Sequence, residues 1–211
     1  MSFSKRAADV EYGVVKLGVL ASGSGSNLEA IAMAIAQGKL RAEIAVIIYN
    51  EPEAFVRQRA EKFDIPAILV NHRDYKSRQQ LDRQIITILQ SYGVELVIMA
   101  GWMRIVTEVL IDAFPDRILN IHPSLLPSFK GIHAIEQAFN YGVKITGCTV
   151  HLLSLEVDSG KILKQAAVPI LADDSLADLQ KRIQQQEHQI YPQAIAEMIE
   201  IVNQAKSHEA R

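Results

Sequence analysis

The residues with the clearest chemical use are Asn120, His122 and Asp158. Asn120 and His122 stand two apart in "LNIHPSLLPSFKG", Leu119 to Gly131, at the end of an apolar run. Side chains alternate along a strand, so these two share a face. Pro123 follows at once and withdraws a backbone donor, which ends the ladder there. An amide N–H can donate to an oxygen gaining negative charge. An imidazole can donate a proton or a second hydrogen bond near neutral pH. Together they suit a tetrahedral intermediate at a carbonyl carbon. Such an imidazole is usually oriented by a carboxylate, and "EVDSGKI" offers Asp158 in a tight loop. A plain reading stays open: Asn-x-His can satisfy backbone groups at a strand end, and Asp158 can be a turn residue.

A second feature is "ASGSGSNLEAI", which joins an apolar run to a helical pattern. Its glycines permit tight turns and close approach of N–H groups to an anion, and the helix start adds the favourable end of its dipole. A dinucleotide fingerprint would need glycine where Leu28 stands, and the G-K-[ST] ending of a triphosphate loop is missing. A monophosphate fits better. A strand-to-helix turn without a ligand is the alternative.

These groups need elements to carry them. Apolar runs at 16–22, 42–50, 66–70, 94–100 and 117–122 read as strands. Helices are expected after Leu28, from Pro52 to Phe63, and from about Asp74 along Leu81, Ile85, Ile88, Leu89 and Tyr92. This alternation implies a doubly wound α/β domain, with strands parallel and covered on both faces. A helix near 132–141 follows, then strands at 145–154 and 161–170. The link between them is too short for a parallel crossover, so that pair must be antiparallel. The last helix starts at about Ser175 and is expected to bend near Pro192. Residues 1–15 read as a loose extension and 16–211 as one domain.

Composition limits the role. The chain has 211 residues, 49% hydrophobic and 22% charged, with net charge −2. Scattered Lys and Arg argue against nucleic acid or an anionic membrane as partner. No apolar run reaches the roughly 18 residues of a membrane span. Cys148 is the only cysteine, the N-terminus lacks a secretory pattern, and a cytoplasmic protein is expected. His72, His188 and His208 show no ligand spacing with Cys148, so no metal is expected. His133 and His151 read as structural or supporting histidines, Cys148 as an inert core residue, and Trp102 as core or rim. Oligomeric state is not readable, and a homodimer stays open.

"VLASGSGSNLEAI", "MAGWMRI", "LNIHPSLLPSFKG", "HLLSLEVDSGKILKQ" and "QQQEHQIYP" together resemble the folate-dependent phosphoribosylglycinamide formyltransferases of the formyl-folate transferase superfamily. The resemblance spans roughly residues 16–200 and implies a Rossmann-like, mostly parallel sheet with an antiparallel C-terminal pair. It implies formyl transfer from 10-formyltetrahydrofolate, a co-substrate, to the amine of glycinamide ribonucleotide. By motif position, Gly25, Ser26 and Asn27 would hold the substrate phosphate and Glu187 would meet the glycinamide amine. Arg78 and Met103, Arg104, Ile105 and Val106 would line the folate site together with Asn120. Asn120, His122 and Asp158 would be catalytic. Two departures stand out: Lys161 replaces a proline after "DSG", and Phe129-Lys130 replaces a Tyr-Pro pair before Gly131. A formyltetrahydrofolate hydrolase would need an extra N-terminal segment, and a transfer-RNA formyltransferase a basic C-terminal domain. A non-catalytic nucleotide-binding module is the rival from another class.

Overall fold

A computed structural model describes residues 13–209. The extension expected over residues 1–15 lies mostly outside them, and the first strand, β1, already begins within it, at Val15–Ala21. There follow α1 (Ser26–Ala36), β2 (Ala42–Tyr49), α2 (Val56–Lys62), β3 (Ala67–Leu69), α3 (Arg78–Ser91) and β4 (Leu96–Met99). Then come α4 (Glu108–Ala113), β5 (Ile118–His122), α5 (Ala134–Tyr141), β6 (Ile145–Leu152), β7 (Ile162–Pro169) and α6 (Leu176–Glu209).

The strands form one sheet in the order β3-β2-β1-β4-β5-β6-β7. The pairs from β3 to β5 are parallel, and β5–β6 and β6–β7 are antiparallel, as the short link requires. From β1 the chain first winds outward through β2 and β3, then crosses back to β4 on the other side. That reversal opens a crevice beyond the carboxyl ends of β1 and β4, where ligands bind in such sheets.

Two apolar layers flank the sheet. One joins Leu28 and Ile31 of α1 to Leu179, Ile183 and Tyr191 of α6. The other joins Leu81, Ile85 and Leu89 of α3 to Leu110 of α4. β5 alternates between them: Leu119 and Ile121 enter the first layer and Ile118 the second. Asn120 and His122 therefore share the side of Ile118. Trp102 is buried in the second layer.

Two helix starts need correction, and one helix was missed. α2 starts at Val56, because residues 52–55 form a turn closed by the Ala54 N–H to Glu51 O bond at 3.0 Å. α3 starts at Arg78, because a 3₁₀ turn at His72–Asp74 comes first and Ser77 Oγ caps the helix by accepting from Gln80 N. α4 was not anticipated; Thr107 caps it through Val109 N. The last helix runs on through Pro192.

Candidate active site

The glycine loop leaves β1 and ends at Gly25, which precedes the first helical residue, Ser26. Gly25 has φ +73, and a Cβ there would lie 2.6 Å from Val56 Cγ2 of α2. Only glycine tolerates both. Two loop carbonyls are drawn back toward α2: Gly23 O accepts from Val56 N at 3.1 Å, and Ser24 O from Arg59 Nε at 2.8 Å. The N–H groups of the first helical turn are left without helical partners, as in any helix N-terminus. The Asn27 side chain turns inward and donates to Glu187 Oε2 at 2.9 Å. Both residues are buried, and Asn27 Oδ1 has no partner. Burial pushes the Glu187 carboxyl up to about 7, against the opposing effect of the Asn27 bond.

At the end of β5, His122 is 5% exposed. Its Nε2 donates to Phe129 O at 2.8 Å, and its Nδ1 lies 3.3 Å from Asp158 Oδ2. Both ring nitrogens thus face acceptors, an arrangement a doubly protonated ring satisfies. Asp158 Oδ2 also accepts from Gly131 N at 2.8 Å. Burial works to raise the Asp158 carboxyl, but the neighbouring imidazoles of His151 and His122 and the bond from Gly131 outweigh it and hold the acid below its usual range. Asp158 itself has φ +50, a left-handed conformation that Asp adopts more readily than most residues.

His151, on β6 opposite Asn120, belongs to the same group. Its Nδ1 lies 2.8 Å from Leu152 O, which can only accept, so Nδ1 carries the hydrogen. Its Nε2 then accepts from Asn120 Nδ2 at 3.2 Å, and Asp158 Oδ1 lies 3.6 Å from the same nitrogen. The bond fixes the Asn120 amide with its NH₂ toward His151 and leaves the second N–H free. The "SLLPSF" loop hangs on Thr149, which donates to Ser124 O at 2.7 Å and accepts from Leu126 N and Gln165 Nε2. Lys130 bridges to Ser159 and Glu156 across the two loops, so it is a loop-to-loop tie.

The stretch Met103–Val106 lies between β4 and α4. Met103 and Ile105 are exposed, at 76% and 58%. Arg104 is half-buried with its Nε unpartnered, and Arg78 is exposed at the start of α3. Two anchors hold the stretch. Ser22 Oγ at the end of β1 accepts from Met103 N at 2.9 Å. Buried Asp82 of α3, one turn beyond Arg78, accepts from Thr107 N at 2.6 Å and from Thr107 Oγ1 at 2.7 Å. Burial raises the Asp82 carboxyl, and the Thr107 bonds oppose that.

Of the remaining sequence candidates, His133 is 68% exposed beside Glu136, and burial pushes the Cys148 thiol up to about 12. Among the described residues, no three His, Cys, Asp or Glu side chains gather as a metal site needs. None of their helices is long and apolar enough to cross a membrane. Sequence reasoning missed Asp82, Thr149 and the Asn120–His151 bond. Only Asp82 left a signal, as an acid beside Leu81 on an otherwise apolar helix face.

The arrangement offers donors and charge for an oxygen gaining negative charge, a carboxylate to orient an imidazole and, two strands away at the end of β1, helix-terminal N–H groups of a kind that can accept an anion. The Formyl transferase family matches residues 15–195. A phosphoribosylglycinamide formyltransferase of Bacillus subtilis is 39% identical over 191 residues, covering 90% of this chain and 98% of its own. The human trifunctional purine biosynthetic protein adenosine-3 is 40% identical over 92% of this chain, which spans 18% of that protein's length. Among solved structures, glycinamide ribonucleotide transformylase 1 from Symbiobacterium toebii matches with TM-score 0.87 and 45% identity, over 89% of this chain and 88% of that one. Phosphoribosylglycinamide formyltransferase from Bacillus halodurans matches with TM-score 0.85 and 38% identity, over 87% and 95%.

Proposed function

The chain belongs to the formyl transferase family, and from that premise we propose a specific reaction for it. It transfers the formyl group of 10-formyltetrahydrofolate to the amine of 5'-phosphoribosylglycinamide, giving formylglycinamide ribonucleotide and tetrahydrofolate. The observation that carries this reading is the meeting of Asn120, His122 and Asp158 at the end of β5, with Asp158 Oδ2 3.3 Å from His122 Nδ1.

The neutral amine attacks the formyl carbon, a C–N bond forms, and the carbonyl electron pair moves onto oxygen. The free N–H of Asn120 donates to that oxygen. His122 contributes charge, and its Nε2 exchanges the Phe129 carbonyl for the oxyanion, a stronger acceptor. Asp158 keeps the ring oriented. The intermediate collapses as the bond to the folate nitrogen breaks, and the proton leaving the attacking nitrogen ends on the departing one.

Gly25, Ser26 and Asn27 hold the substrate phosphate through backbone N–H groups and the Ser26 hydroxyl. Asn27 uses its backbone for this, since its side chain is committed to Glu187. Glu187, whose Oε2 takes the Asn27 bond, is the residue that meets the glycinamide amine. The exposed apolar Met103 and Ile105, with Arg104, Val106 and Arg78, receive the folate. Its partners are these two small molecules, and a cytoplasmic setting is in keeping with them.

The test is absorbance-monitored release of the folate product, run with glycinamide ribonucleotide and again with water alone. Release that requires the ribonucleotide is the expected result. Release without it would make the chain a hydrolase, and no release would leave a binding module.

A further inference from the structure

We infer that Arg59 is a positioning residue for the substrate phosphate: it fixes the glycine loop from behind and cancels a carboxylate that would otherwise repel the dianion. This rests on the phosphate reading of the loop given above.

Arg59 lies on α2, more than thirty residues from the loop in sequence, yet its Nε donates to Ser24 O at 2.8 Å. The same guanidinium pairs through Nη1 with Glu29 in the first turn of α1. Its plane also packs over the Phe55 ring, 5.3 Å from the centroid, which limits its movement. Lys62 Nζ reaches the other Glu29 oxygen at 2.6 Å. Ser26, Glu29 and Arg59 line one cavity of about 650 Å³ between α1 and α6. That cavity contains none of Asn120, His122 or Asp158.

Glu29 is the anomaly that needs Arg59. It lies three residues beyond Ser26, about 4.5 Å along the helix axis. An acid in the first turn suits the helix dipole when nothing is bound. A phosphate seated on the same N–H groups would meet that carboxylate at close range. At an effective permittivity of about 20, two unit charges about 8 Å apart change an affinity by roughly tenfold or more. Arg59 and Lys62 remove that penalty, and Arg59 also holds the loop carbonyl turned away from the anion. The buried, unpartnered Asn27 Oδ1 beside the loop is a second sign of a site poised for a ligand.

The test is steady-state kinetics on Arg59→Gln, Glu29→Gln and the double variant, with glycinamide ribonucleotide and with the dephosphorylated glycinamide ribonucleoside. Arg59→Gln is expected to raise KM for the ribonucleotide about tenfold or more. Its kcat and its KM for the formyl-folate should stay within about threefold, and its kcat/KM for the ribonucleoside should match that of the unaltered chain. Adding Glu29→Gln should recover most of the loss. Glu29→Gln alone, a change near the surface that leaves the fold in place, should lower the ribonucleotide KM. An unchanged KM in Arg59→Gln, equal losses on ribonucleotide and ribonucleoside, or a raised KM in Glu29→Gln would each overturn the inference while leaving the reaction standing. Absence of ribonucleotide turnover by the unaltered chain would overturn the functional reading, and this inference with it.

Discussion

Asp158, in the loop between β6 and β7, presents Oδ2 at 3.3 Å to Nδ1 of His122 at the end of β5. The same oxygen takes the Gly131 N–H, so imidazole and loop share one anchor. Asp158→Asn keeps the shape and removes the charge. Turnover should fall by on the order of 10³ or more, as when an orienting carboxylate is neutralised beside a catalytic imidazole. The acid range gives a second check. The folded state holds this carboxyl below its ordinary 3.8, so its stabilisation is present above that pH and is lost as pH falls through the lower value. Melting temperatures of the variant should therefore fall less steeply in that range.

Glu187 titrates in the opposite sense. Its carboxyl is raised from 4.5 to about 7, so the stability it contributes is full below 4.5 and lost as pH rises through about 7. Glu187→Gln keeps an acceptor for Asn27 and cannot ionise. The variant should lose less melting temperature than the unaltered chain between pH 5 and pH 8. A parallel decline in both would contradict the assignment.

Asp82→Asn should act on the folate side alone. Both Thr107 bonds go to the one oxygen Oδ2, and the amide oxygen that replaces it is an uncharged and weaker acceptor. Stability should drop by about 1–3 kcal/mol. KM for the formyl-folate should rise several-fold while KM for the ribonucleotide stays within twofold, as initial-rate measurements would show.

Gly160→Ala tests the loop that carries Asp158. A Cβ there would meet Leu152 O at 1.7 Å, and that carbonyl also accepts from His151 Nδ1. Displacing it disturbs Asp158 and His151 together. Turnover should be lost while the circular dichroism spectrum keeps the helix and strand content of the remaining domain.

The sheet was legible in the sequence because strands covered on both faces read as unbroken apolar runs, and "EVDSG" is too short for anything but an antiparallel return. The Asn120–His122 pair was legible from strand alternation and Pro123. Helix α4 was not, since the six residues Glu108–Ala113 are too few to show a helical period. The late start of α3 was readable in hindsight: Ser77 and Gln80 form an S-x-x-Q signal that lies inside the stretch read as helix. Asp82–Thr107, Asn120–His151 and Arg59–Ser24 join residues 25, 31 and 35 positions apart, and no local pattern marks such contacts. Tyr191 is similar. It stood within a quoted motif, but only the fold shows its hydroxyl within 3.0 Å of Met99 O and 3.1 Å of Leu119 O, tying α6 to the end of β4 and the start of β5.

The most direct measurement is single-turnover formyl transfer by Asn120→Ala, with glycinamide ribonucleotide binding followed separately by calorimetry. Removing one donor to a developing oxyanion typically costs about 10²–10³ in rate. The account predicts a loss of at least that size with ribonucleotide affinity nearly unchanged. Near-normal transfer by the folded variant would show that the end of β5 is not where the reacting oxygen sits.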